Sequence, residues 1–193
     1  MKRKSKKTVP KRTRHEDRLI AYHEAGHLVM LFHKGAMFTA VGIDLPDSVA
    51  DMFDIAAAIA GIEWPPKKGT RRNKGLVLLA GKASVDILSK CITDNCRDDS
   101  SRSDLEKFSK LWRTRKARKD NFAELYPEAF RFLLQPERWE QVRTVADVLL
   151  KERLLTYGEV KLCIESVVDE ERKRDLQVYL ELFKKTHRHR KPH

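Results

Sequence analysis

Residues 21–27 read Ala-Tyr-His-Glu-Ala-Gly-His, and they lie within an apolar segment that runs from Asp17 to about His33. Leucine, isoleucine, valine and phenylalanine recur along this segment at the spacing of a helix. Gly35 follows at a position where helices commonly end. The stretch therefore predicts one long helix with apolar faces.

The spacing of two histidines in this helix fits a metal site. His23 and His27 are four residues apart, so both imidazoles lie on one helix face and can bind one zinc ion. Glu24 then stands beside the metal, where it can act as the general base that activates water for attack on a peptide carbonyl. The alternative is a face with two solvated histidines. The apolar surroundings and Gly26, which costs about 1 kcal/mol inside a helix, favour a packed site.

A catalytic zinc site requires a third protein ligand, and His33 is the nearest candidate along the chain. It lies where the extended metzincin pattern has its third histidine, but that pattern needs glycine at the position held by Met30. In a continuous helix His33 also lies about 240° around the axis from His27. We therefore exclude His33 as a ligand.

Asp104 is a second candidate, and the residues alone leave its role open. Ser103 and Glu106 match a capping box, which predicts a helix from Ser103 to about Arg118. Asp104 then falls in the first turn, where a carboxylate complements the partial positive charge of the helix N-terminus. This structural role is favoured by the local pattern, although a carboxylate is also a suitable third zinc ligand.

The remaining sequence predicts a mainly α fold with one short edge strand or β-ribbon. The strand is expected between Phe38 and Leu45, because β-branched residues alternate there and Pro46 follows. Breakers and charges predict an exposed loop over 64–73, and a polar turn is expected over 91–101. Further helices are predicted over residues 49–62, 75–90, 122–134, 136–153 and 156–185.

Basic residues are concentrated at the two ends of the chain. Residues 1–14 contain eight Lys or Arg and residues 184–193 contain five, and neither end has an acidic residue. Residues 15–183 contain the other 27 of the 40 basic residues and all 28 acidic ones. This middle part is therefore nearly neutral, although the formal net charge of the chain is +12. We predict a disordered basic arm over 1–14, a domain over 15–183, and a basic His-rich tail over 184–193. The tails are expected to be solvated, with weak nucleic-acid binding as the alternative.

The cysteines and the hydropathy pattern bear on the compartment. Cys91, Cys96 and Cys163 form an odd set that fits neither a disulfide framework nor paired zinc knuckles. The longest apolar run, residues 55–62, is too short to span a membrane. We therefore expect a cytoplasmic protein without a membrane segment.

Several blocks together resemble the protease domain of the FtsH family of ATP-dependent zinc metalloproteases. Residues 21–27 are similar to the family signature, residues 79–84 to a helix with paired glycines, and residues 103–107 to the family's Asn-Asp-Leu segment. Residues 129–160 resemble its C-terminal helical pair. The resemblance covers about residues 18–165.

The resemblance implies a zincin-like helical peptidase domain with one Zn²⁺ per chain. It makes His23, His27 and Asp104 the metal ligands and Glu24 the general base. Asp86 matches the second of two family glutamates and is implied to orient a ligand histidine. Val85 replaces the first of these glutamates, and residues 99–102 depart from the small-residue run that precedes the family's aspartate.

The implied activity is hydrolysis of peptide bonds in unfolded or loosely structured polypeptides. We expect a domain without the family's ATPase and membrane segments, which acts alone, as a homo-oligomeric ring, or with a separate AAA ATPase. No nucleotide site is expected, because Gly75 and Gly81 enclose five residues where a phosphate loop has four. The alternative is a non-catalytic binding protein whose basic tails contact nucleic acid or an acidic partner.

Overall fold

The computed structural model describes residues 13–43, 59–90 and 100–187, and within these ranges it has seven helices and a small antiparallel sheet. The mainly α prediction is therefore confirmed. Predictions for residues 1–12, 44–58, 91–99 and 188–193, which include Cys91 and Cys96, lie outside the described residues. The helices are α1 (Arg14–Lys34), α2 (Arg71–Lys90), α3 (Ser100–Lys110), α4 (Arg115–Leu134), α5 (Pro136–Glu152), α6 (Tyr157–Glu165) and α7 (Glu170–His187). The strands are β1 (Ala40–Gly42), β2 (Ile59–Ala60) and β3 (Leu154–Thr156).

Helix α1 covers the predicted segment but begins at Arg14, three residues before the predicted start and inside the segment 1–14 that was predicted to be disordered. It is fixed at both ends. Thr13 and Glu16 form a capping box, in which the Thr13 hydroxyl accepts the Glu16 amide at 3.2 Å and the Glu16 carboxylate accepts the Thr13 amide at 2.6 Å. Gly35 ends the helix with φ 75°, a left-handed conformation that glycine adopts without strain. Every residue from Ala21 to Leu31 is buried. The centre of α1 therefore lies inside the domain.

Helix α2 packs closely against α1 and begins four residues before the predicted start at Gly75. The Thr70 hydroxyl accepts the Asn73 amide at 3.2 Å, which satisfies a backbone donor of the first turn. The predicted loop over 64–73 therefore ends at Thr70. The first turn of α2 consists of charged and polar residues, so it shows no apolar periodicity from which a helix could be predicted.

The predicted edge strand is the central strand of the sheet, which corrects the edge assignment. Strand β1 pairs antiparallel with β2 through Ala40 and Ala60, and with β3 through Val41 and Leu155. Strand β2 occupies residues at the end of the predicted helix 49–62, so that prediction is wrong for Ile59 and Ala60. Two- and three-residue strands carry too little alternation to be recognised locally, and pairing with β1 decides their conformation.

The capping box predicted at Ser103 is not formed, because α3 begins at Ser100. Asp104 consequently lies beyond the first turn, which removes the dipole-complementing role that the sequence favoured. The helix also ends at Lys110 rather than near Arg118. Thr114 starts α4 instead, since its hydroxyl accepts the Ala117 amide at 3.1 Å.

The last predicted helix, 156–185, is divided in two. Helix α6 ends at Glu165, and Asp169 caps α7 by accepting the Glu171 amide at 2.9 Å. The predicted helix 136–153 is confirmed as α5. Among the described residues, no helix combines the length and apolar character needed to cross a membrane.

Candidate metal centre

The two histidines of α1 face a single point inside the domain. His23 and His27 are 2% and 5% exposed, and their rings meet edge to face with centroids 4.6 Å apart. Their Nε2 atoms are 3.0 Å apart. The four-residue spacing therefore brings two imidazole nitrogens together in a buried position, as the sequence predicted.

Helix α3 brings Asp104 to the same point. Asp104 Oδ2 lies 2.8 Å from His23 Nε2 and 2.8 Å from His27 Nε2, although Asp104 is 77 residues beyond His27 in the chain. These three side chains form a buried group that could hold a metal ion. The three residues predicted as ligands thus lie together, although they come from two helices, and Asp104 belongs to this group and not to a helix cap.

A hydrogen bond at Nδ1 of His27, on the side of the ring away from Asp104, determines that Nε2 is the nitrogen that faces His23 and Asp104. His27 Nδ1 lies 2.7 Å from the backbone carbonyl oxygen of Val77, which can only accept, so Nδ1 carries the proton. In the neutral ring the Nε2 lone pair is then available to a metal ion, whereas a hydrogen bond to Asp104 requires a proton on Nε2 as well. A partner of this kind is typical of metal-binding histidines, because it fixes both the tautomer and the ring orientation.

The electrostatics of the three atoms favour a cation. Burial alone would raise the pKa of the Asp104 carboxyl, but its hydrogen bonds with both histidines outweigh burial and hold the pKa well below its ordinary value. Asp104 is therefore a carboxylate. A carboxylate oxygen and two nitrogens at 2.8–3.0 Å require positive charge among them, supplied by protons on the rings or by a metal ion.

The separations are close to those that zinc needs. Tetrahedral bonds of 2.0–2.1 Å place ligand atoms about 3.3 Å apart. The three atoms here are 2.8–3.0 Å apart, so an increase of roughly 0.3–0.5 Å makes them fit. Side-chain rotations achieve such a shift. Two imidazoles and one carboxylate also match the donor set of known catalytic zinc sites.

Gly81 on α2 leaves the space that the imidazoles occupy. A Cβ at this position would lie 2.6 Å from His27 Cε1 and 2.8 Å from His23 Cε1, distances that real Cβ atoms do not show. Any side chain at residue 81 would displace the two rings. The family resemblance includes Gly81 but implies no role for it, and a glycine inside a helix is the signal that marks such contacts.

Gly26 explains why α1 and α2 approach so closely. A Cβ at Gly26 would lie 2.6 Å from the Ala80 carbonyl oxygen and 2.6 Å from Ser84 Cβ. Ser84 itself donates its hydroxyl proton to the Tyr22 carbonyl at 2.6 Å, which links the two helices beside the histidines. The expectation that Gly26 marks a close contact is confirmed.

Glu24 follows His23 on α1 and is buried beside the group. It is 7% exposed, and burial raises the pKa of its carboxyl, while His27 and His23 act in the opposite direction. A carboxyl with a raised pKa binds a proton more readily near neutral pH than an exposed glutamate does. This property suits an acid–base group.

Lys107 lies at the solvent side of Asp104 and was missed from the sequence. Its Nζ is 3.6 Å from Asp104 Oδ1, the oxygen turned away from the histidines, and its side chain is 48% exposed. The ammonium thus neutralises one carboxylate oxygen while the other faces His23 and His27. Its position three residues after Asp104 on the same helix is the local signal for this pair.

Asp86 was predicted to orient a ligand histidine, but its hydrogen-bond partners are other residues. Its oxygens accept hydrogen bonds from Lys82 Nζ at 2.9 and 3.1 Å and from the Tyr126 hydroxyl. No hydrogen bond between described residues joins Asp86 to His23 or His27. The backbone carbonyl of Val77 holds His27 instead, a partner that no side-chain pattern reveals.

The exclusion of His33 agrees with its position. His33 Nε2 lies 2.9 Å from the Gln141 side-chain oxygen on α5, outside the metal group. Burial lowers the pKa of its ring.

Cys163 does not belong to the metal group. It is buried in α6, and burial raises the pKa of its thiol to about 12, so the side chain remains protonated.

In comparisons with known proteins, neither a family model nor a curated sequence matches this chain. The geometry of His23, Glu24, His27 and Asp104 is therefore the main indication of what this chain does.

Proposed function

We propose that this chain is a zinc-dependent endopeptidase of the FtsH-like type, in which His23, His27 and Asp104 hold the metal. The observation that carries the proposal is the convergence of these three side chains within 3.0 Å, with the buried Glu24 on the same helix. Solvated surface histidines would not be expected to share one carboxylate oxygen in a buried position.

The residues of the chain divide the chemistry between them. A zinc ion bound here supplies Lewis acidity, which polarises a peptide carbonyl and brings the pKa of water toward neutrality. Glu24 takes the proton from the attacking water and delivers a proton to the leaving amine. Asp104 and the Val77 carbonyl hold the histidines in the orientation that keeps both Nε2 atoms facing inward.

The proposed substrates are unfolded or loosely structured polypeptides. Such segments can extend past the site without a motor to unfold them. Assembly into a homo-oligomeric ring, or action with a separate AAA ATPase, belongs to the same proposal.

Substitution of Glu24 by Gln tests the mechanism most directly. Because the amide cannot accept the proton, we expect kcat/KM for an unstructured protein substrate such as casein to fall by about 10²–10⁴-fold. Zinc content should remain at one ion per chain, since Glu24 is not a ligand. Glu106→Gln, which alters an exposed acid of α3, is the matched control and should retain activity. Unchanged hydrolysis in the Glu24 variant would refute the assigned role.

A further inference from the structure

A groove with a cationic rim lies between α3 and α4, immediately beyond the metal group. Its volume is about 420 Å³. It is lined by Leu105, Phe108, Arg115, Arg118, Lys119 and Phe122, which we call the basic groove. Leucine and phenylalanine side chains contribute its apolar part, and three cations from the first two turns of α4 contribute its charge.

The three cations have no neutralising partner in the part of the chain that the structure describes. Arg115, Arg118 and Lys119 form no ion pair there, and residues 111–119 contain no acid. Asp120, directly after Lys119, is the nearest acid of the following turn and is exposed, whereas Glu124 and Glu128 are both bound to Arg72. The positive N-terminal end of α4 adds to the local field. The basic groove therefore presents a net positive charge to solvent, since its three cations outnumber Asp120.

The basic groove is connected to the metal group through α3. Leu105, which is 36% exposed, follows Asp104 directly, and Phe108 lies one turn further along the same helix. The four residues from Asp104 to Phe108 correspond to about 6 Å along the axis. An extended peptide advances about 3.3–3.6 Å per residue, so a substrate cleaved at the metal group would reach the basic groove within a few residues.

The aromatic rings argue against a nucleic acid as the occupant. Base stacking requires an accessible ring face. Phe108 is 3% exposed, and Phe122 stacks on Tyr126 with centroids 5.3 Å apart and an angle of 3° between the planes. The rings thus form the floor of the basic groove, where an aliphatic side chain can pack.

We propose that the basic groove binds an acidic residue adjacent to an apolar residue in a polypeptide substrate, close to the bond that is cleaved. This inference rests on the proposed function, which supplies the cleaved bond. The cations attract the carboxylate, and Leu105 with the phenylalanine floor accepts the apolar neighbour. The chain therefore selects acidic-apolar segments.

The test measures binding separately from cleavage. The full chain carrying Glu24→Gln is titrated into a labelled short peptide that has two Glu-Leu pairs in a Gly-Ser background, and anisotropy gives Kd. A matched peptide has Gln in place of each Glu. We expect the acidic peptide to bind about tenfold more tightly at low salt and the difference to disappear at high salt.

Triple substitution of the groove cations to Gln, in the same background, should remove this preference. The control replaces Lys116, Lys151 and Arg174 by Gln, which removes equal charge from exposed positions outside the groove and should preserve the preference. Thermal unfolding verifies that both variants fold.

Three results would overturn the inference: equal binding of the two peptides, equal effects of the groove and control triples, or tighter groove-dependent binding of a single-stranded oligonucleotide. Loss of dimers in the groove triple, measured by sedimentation, would also overturn it in favour of a self-association surface. Failure of the zinc-loaded natural chain to cleave any peptide, with the acidic preference intact, would instead reject the proposed function alone.

Discussion

Helices α1 and α3 both supply side chains to the candidate metal group, but they are packed very differently. All residues from Ala21 to Leu31 of α1 are buried, and α2 contacts it closely at Gly26. In α3, only Asp104 and Phe108 are buried among the residues from 102 to 110. The histidines are therefore held by the core, whereas the aspartate is held mainly by its contacts with the histidines and by the Phe108 anchor.

If the group holds a metal ion as proposed, this difference predicts that the ion would stabilise α3 more than α1. Helices with few buried contacts open locally at a low free energy, while core helices open only with global unfolding. A ligand stabilises most strongly the elements that it joins to the core. Three predictions test the comparison, in order of decreasing expected effect.

The largest effect is expected from Asp104→Asn. The change keeps the shape of the side chain but removes the negative charge that binds the cation, so we expect zinc affinity to fall by more than about 100-fold, or about 2.7 kcal/mol. Competition with a chromophoric chelator measures the affinity. Glu106→Gln on the exposed side of α3 is the control. Equal affinity of the Asp104 variant and the natural chain would mean that α3 contributes no ligand.

A smaller effect is expected from Gly26→Ala, which targets the packed side of the comparison. The added Cβ meets the Ala80 carbonyl and Ser84, and relief requires α1 and α2 to separate. We expect a loss of about 1–3 kcal/mol in the free energy of unfolding, measured by urea denaturation of the metal-free chain.

Gly158→Ala in α6 is the control, because a Cβ there meets no atom within 4 Å. It should be neutral or slightly stabilising, since alanine favours helix formation. Equal stability of the two variants would show that the α1–α2 contact is less tight than the distances indicate.

The smallest effect is the change in hydrogen exchange when zinc is added. At a free zinc concentration ten times Kd, binding contributes about 1.4 kcal/mol, so amides of α3 should exchange about tenfold more slowly. Amides at the centre of α1 should change less, because the core already protects them. Mass spectrometry of peptides covering residues 103–110 and 21–31 makes the comparison, with α5 as a reference. Similar slowing in all three would remove the distinction between the helices.

The sequence by itself determined the histidine pair and the helix that carries it. The relation between His23 and His27 is local: the pitch of a helix places residues four apart on one face, and Gly35 marks the C-terminal end of that helix. The mainly α class follows from similar local periodicity. These features need no knowledge of distant residues.

Other features were decided only by the tertiary structure, because each depends on residues that are remote in the chain. Asp104 lies 77 residues beyond His27 in the chain, and only the packing of α3 in the folded domain brings it to the histidines. The local pattern around Asp104 indicated a capping role instead. Asp86 matched a family position but is bound by Lys82 and Tyr126, and the support for His27 comes from the Val77 backbone. Strands of two or three residues likewise form only when their partners are adjacent. Spacing along the chain determined the chemistry of α1, and packing between helices determined which carboxylate joined it.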